Sequence, residues 1–143
     1  MHTLLLALSL AIALQLCTAQ GQPVVSSAAQ AQPSPNDPSH QVPVVDAGLG
    51  NCSVEFHVTD GELKPIYAAQ ISVHMRYGFG GFHKMDLQVS TNVDGRARFE
   101  GLTERARMPL EFNLEAPQRQ PNAVAVDLRE KCKSVQEVVL PAK

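Results

Sequence analysis

Thr91-Asn92-Val93-Asp94-Gly95-Arg96-Ala97-Arg98-Phe99-Glu100-Gly101-Leu102 reads as a strand end, a tight turn, a short alternating strand and a second glycine break. Asp94-Gly95 supplies the positive φ of a sharp hairpin, because glycine has no Cβ to clash. Beyond the turn, Ala97 and Phe99 fall on one face, while Arg96, Arg98 and Glu100 fall on the other. That is the period of a half-buried strand. The stretch argues for a β fold and carries no chemistry of its own.

The same period extends in both directions. Upstream, Val54, Phe56 and Val58 alternate with Glu55, His57 and Thr59, and Asp60 to Pro65 makes a turn. Ala69, Ile71, Val73, Met75 and Tyr77 then alternate with Gln70, Ser72, His74 and Arg76, followed by Met85, Leu87 and Val89. Downstream come Leu110, Phe112 and Leu114, then Val124, Val126 and Leu128, then Val135 to Leu140. Seven short strands separated by turn signals, with no amphipathic helix, predict an all-β fold: an antiparallel β-sandwich over residues 51–143. The chain has no Trp, which sets it apart from immunoglobulin domains.

The amino-terminal third is different. Leu4 to Leu16 is apolar except for Ser9 and Gln15, and Cys17-Thr18-Ala19 follows with small residues. The run is shorter than the roughly 20 residues of a membrane span and reads as a signal peptide over 1–19, cleaved after Ala19. The rival is a lipoprotein signal that would put a lipid on Cys17, against which Leu16 stands where a small residue is wanted. Residues 20–50 carry Pro23, Pro33, Pro35, Pro38 and Pro43 among Ser, Gln and Ala, and are expected to be a disordered linker. The mature protein is therefore expected to be secreted or periplasmic. Cys52 and Cys132 then remain near the two ends of the domain in an oxidising compartment, and are expected to form a disulfide. A net charge of −2 and a pI near 6.2 leave no basic patch for nucleic acid or an anionic membrane. No stable membrane insertion is expected once the signal is removed.

Val54-x-Phe56-x-Val58-x-Asp60-Gly61, Lys64-Pro65-Ile66-x-Ala68-Ala69-x-Ile71-x-Val73 and Thr91-Asn92-x-Asp94-Gly95-x-Ala97-x-Phe99-x-Gly101-Leu102 together resemble the carboxypeptidase regulatory-like domain. That family belongs to the transthyretin-like, or prealbumin-like, sandwiches. The resemblance covers about residues 52 to 140 and is strongest through Leu102. Ala68 stands where the family usually has Gly, and Arg107-Met108-Pro109-Leu110 replaces an expected Gly-x-Tyr. The resemblance implies a seven-stranded Greek-key module, usually non-catalytic, that acts in protein binding or cell-envelope support. It does not imply peptidase activity.

Chemistry is sparse. Zinc-peptidase spacings such as His-Glu-x-x-His are absent. His57 and His74 lie on the polar faces of the first two predicted strands. As sheet neighbours they would be weak candidate metal ligands, with Glu55 completing the set, but solvent-facing histidines are ordinary and no metal or other cofactor is expected. Ser90-x-Asn92-x-Asp94-Gly95 lacks the ligand pattern of a calcium loop. Transthyretin-like folds include a hydrolase of 5-hydroxyisourate, but its Tyr-Arg-Gly-Ser tail is absent and no catalytic triad can be assembled, so enzyme activity is not expected. Asn51-Cys52-Ser53 matches a glycosylation sequon.

The best candidate for ligand contact is Tyr77-Gly78-Phe79-Gly80-Gly81-Phe82-His83-Lys84, which places three of the chain's aromatic residues in a glycine-rich loop. Tyr77, Phe79, Phe82 and His83 could anchor a protein partner or stack on a sugar, the carbohydrate-binding alternative. The bland reading is that Tyr77 and one Phe cap the sandwich while the glycines make the turn.

Overall fold

A computed structural model describes residues 37–106 and 108–143. The expected signal peptide, its Ala19 cleavage site, Cys17 and the linker up to residue 36 lie outside the described residues. Eight strands follow in order: β1 (Val44–Asp46), β2 (Cys52–Thr59), β3 (Gln70–Tyr77), β4 (His83–Ser90), β5 (Arg96–Leu102), β6 (Leu110–Glu115), β7 (Asn122–Val126) and β8 (Lys133–Val139). They form two four-stranded sheets, ordered β1-β5-β2-β8 and β4-β3-β6-β7.

The inward faces meet on three phenylalanines. Phe56 of β2 and Phe99 of β5 come from one sheet and Phe112 of β6 from the other, with ring centroids 4.9–6.0 Å apart in tilted and edge-on arrangements. Such contacts favour the positive ring edge over the negative face. Ile71, Val73 and Met75 of β3, with Leu114, Leu102 and Leu140, complete a fully buried core. The alternation in β3 holds residue by residue, with Ile71, Val73 and Met75 inside and Gln70, His74 and Arg76 exposed.

Three expectations need correction. The described residues form eight strands rather than seven, because β1 lies inside the segment expected to be linker. It is held there by contacts that no local pattern announces. Val44, Val45 and Asp46 run parallel to Arg98, Phe99 and Glu100, and Arg98 N donates to Pro43 O at 2.9 Å. Asn92 Nδ2 donates to His40 O and Gln41 O, and His40 Nδ1 sits 2.9 Å from Asp94. The sandwich thus begins before residue 51.

The second correction concerns strand direction. The β4-β3-β6-β7 sheet is antiparallel throughout, but β1–β5 and β2–β8 pair in parallel at both edges of the other sheet. The third concerns the Asp94-Gly95 turn. It is tight, with Gly95 N donating to Asn92 O at 3.0 Å and Asn92 Oδ1 accepting from Asp94 N and Arg96 N. It is not a hairpin: β4 and β5 lie in opposite sheets, and the turn carries the chain across the core. Gly95 has φ 71°, and a Cβ there would run into the Val58 carbonyl oxygen. The glycine was needed for the reason given, at a different kind of junction.

One buried hydroxyl secures that crossing. Thr91 is 2% exposed, and its Oγ1 accepts from Ala69 N at 2.9 Å and donates to Ile66 O at 2.6 Å. Thr91→Val keeps the shape and strands both backbone groups. It is expected to cost about 2–4 kcal/mol, read as a lower urea midpoint at unchanged m-value.

Candidate aromatic recognition site

β3 and β4 stay in register from Gln70↔Ser90 to Tyr77↔His83, leaving residues 78–82 to turn the chain. Gly78, Gly80 and Gly81 have φ of 78°, 67° and 74°, which a residue with a Cβ rarely adopts. This backbone lifts two rings clear of the sandwich: Phe79 is 94% exposed and Phe82 80%. Beneath them, the Tyr77 and His83 rings stack with centroids 5.3 Å apart and planes 29° from parallel. A Cβ on Gly78 would collide with His83, so the turn packs directly on that stack. Arg76 and Lys84, opposite each other one pair further down, are exposed on the outer face. Tyr77, Phe79, Phe82 and His83 therefore share one hairpin end, with Tyr77 and His83 as the brace and the two phenylalanines as the projecting surface.

The histidine pair fares differently. His57 is on β2 and His74 on β3, in separate sheets, so they are not the cross-strand neighbours that the sequence suggested. His74 Nδ1 pairs with Asp86 at 2.5 Å. His57 has Glu55 on Nε2 at 2.9 Å and Glu137 on Nδ1 at 2.8 Å, which engages both ring nitrogens on opposite sides. Cys52, Glu104 and Cys132 also lie together, but the two sulfurs are bonded to each other and offer no thiolate.

Sequence reasoning placed Glu55 on a polar face as a possible third metal ligand and missed its burial and its two arginine partners. Its side chain is only 9% exposed on the outer face of β2, held by Arg96 through Oε1 and by Arg98 through Oε2, with Arg98 Nη2 at 2.6 Å. Burial raises its pKa, and the hydrogen bonds from Arg98, His57 and Arg96 outweigh that effect, holding the carboxyl down to about 2. A carboxylate held this way is a weak base. Its position centres the ion-pair lattice of that sheet rather than a reaction.

No protein-family model matches the chain, and no curated protein matches it. Among solved structures, it is similar to 3-chlorocatechol 1,2-dioxygenase from Rhodococcus opacus 1CP, at 9% identity and TM-score 0.48 over 71% of this chain and 64% of that one. It is similar to catechol 1,2-dioxygenase from Pseudomonas arvilla C-1, at 10% identity and TM-score 0.49 over 72% and 59%. It is also similar to GBS52, a minor pilin of Streptococcus agalactiae, at 14% identity and TM-score 0.39 over 66% and 46%. This chain spans less than two thirds of each of those chains. At such identities and scores, neither dioxygenase chemistry nor pilus assembly carries over to it.

Proposed function

We propose that this chain is a secreted or periplasmic, non-catalytic Greek-key module of the carboxypeptidase regulatory-like kind, which binds a protein partner through its aromatic hairpin end. The observation that carries this reading is the exposure of Phe79 and Phe82 on a turn braced by the Tyr77–His83 stack. Leaving two phenyl rings in water costs about 1.5–3 kcal/mol each relative to burying them, so a partner that covers them gains most of that energy. Phenyl rings offer no hydrogen bond, which favours an apolar cleft on a protein over the polar rim of a sugar site. The Cys52–Cys132 disulfide fits an oxidising compartment. No helix among the described residues is long and apolar enough to cross a membrane.

The test is capture from the native host with wild type and Phe79→Ala/Phe82→Ala. The variant is expected to keep its melting temperature within about 1–2 °C, because the rings touch solvent, and to lose the captured protein about tenfold or more. Capture of a glycan rather than a protein would transfer the site to the carbohydrate reading. Equal capture by both proteins would remove the aromatic end from recognition.

A further inference from the structure

β8 is an edge strand of seven residues that pairs only with β2 among the described residues. Ser53 N donates to Cys132 O at 2.8 Å, and Leu140 N donates to Thr59 O at 2.9 Å. In a parallel ladder alternate residues face the neighbouring strand, so Ser134, Gln136 and Val138 turn their backbone groups to β2. Lys133, Val135, Glu137 and Val139 turn theirs to the open edge. The same four side chains stand on the solvent face, where Val135 is 53% and Val139 42% exposed.

We infer that β8 pairs antiparallel with β8 of a second copy of this chain about a two-fold axis at Val135, joining two four-stranded sheets into one. Three features of the strand fit this occupant. Val135 presents outward backbone groups, so the axis falls at a hydrogen-bonded pair, and the ladder gains about six backbone hydrogen bonds. Val135 then meets Val135 of the second copy, an apolar contact at the centre. Lys133 meets Glu137 of the second copy, and Glu137 meets its Lys133, so each charge on the strand finds the opposite sign. Glu137 pairs through Oε1 with His57 Nδ1 at 2.8 Å and stays 70% exposed, so its other oxygen is open to the lysine. Moving the axis two residues places Glu137 against Glu137 or Lys133 against Lys133, and like charges directly opposite are disfavoured. Among axes through a hydrogen-bonded pair, the charge pattern favours the one at Val135. The inference is independent of the aromatic end, which lies on the other sheet.

Sedimentation equilibrium of the purified full chain over a range of concentrations is the test, with circular dichroism to check that each variant is folded. Wild type is expected to form a reversible dimer. Lys133→Glu alone and Glu137→Lys alone each create repelling pairs, and each is expected to weaken the dimer about tenfold or more. Mixing the two single variants restores two attractive pairs, so a heterodimer of near wild-type affinity is expected. A monomeric wild type at millimolar concentration would overturn the inference. Single variants that dimerise as wild type does, or a mixture that stays monomeric, would overturn it as well.

Discussion

Replacing Cys52 and Cys132 together by alanine is expected to lower the stability of the sandwich by about 4 kcal/mol and its melting temperature by roughly 20 °C. The two cysteines are 80 residues apart in sequence, so their bond closes a long loop and removes much of the freedom of the unfolded chain. The bond also sits where the fold most needs it. Cys52 opens β2, and Cys132 precedes β8, its parallel neighbour, so the disulfide fixes the start of a pairing between distant segments. Parallel strands cannot be joined by a short turn, and without the bond this edge must be found by diffusion of nearly the whole domain. Thermal unfolding of the double variant, and of wild type under reductant, measures the effect. A loss below about 1 kcal/mol would show that the strand pairing holds without its covalent tie.

Glu55→Gln is expected to cost about 2–3 kcal/mol at neutral pH and to flatten the acid limb of the stability curve. The Glu55 carboxyl is held down to about 2 from an ordinary 4.5, which corresponds to about 3 kcal/mol of preference for the ionised form. Arg96 and Arg98 are 41% and 38% exposed, and water screens part of that gain. Because the folded-state value is depressed, the stabilisation is complete above 4.5 and is lost as the pH falls from 4.5 through about 2. Wild type should therefore weaken steeply over that window while Glu55→Gln changes less. Urea titrations at neutral pH and at pH 3 give both numbers. Parallel curves for the two proteins would remove Glu55 from the acid response.

What the sequence made legible follows from the range of each cause. The β3 period is local, so Ile71, Val73 and Met75 could be assigned to the core from spacing alone, and so could Ala97 and Phe99. The turn at Asp94-Gly95 was legible because positive φ is a property of one residue. Which strands it joins was not, because a hairpin and a crossing between sheets use the same local geometry. β1 is three residues long and follows Pro43, and it exists only because β5 offers an edge. Its signal lies in Arg98, Asn92 and Asp94, about 50 residues away. Glu55 alternates correctly as an outward residue, yet it is buried, because Arg96 and Arg98 from the adjoining strand close over it. The aromatic hairpin end was readable because Phe79, Phe82 and their glycines are contiguous. The separation of His57 from His74 depends on which sheet each strand joins, and spacing carries no information about that.

We place recognition at residues 77–84. Amide hydrogen exchange of the chain, free and bound to the protein that it captures from its native host, tests this most directly. New protection is expected in the β3–β4 turn and the adjoining strand ends, with sheet faces and other loops unchanged. Protection spread over the outer face of β2 and β5, or confined to another loop, with the 77–84 amides exchanging as they do in the free chain, would contradict it.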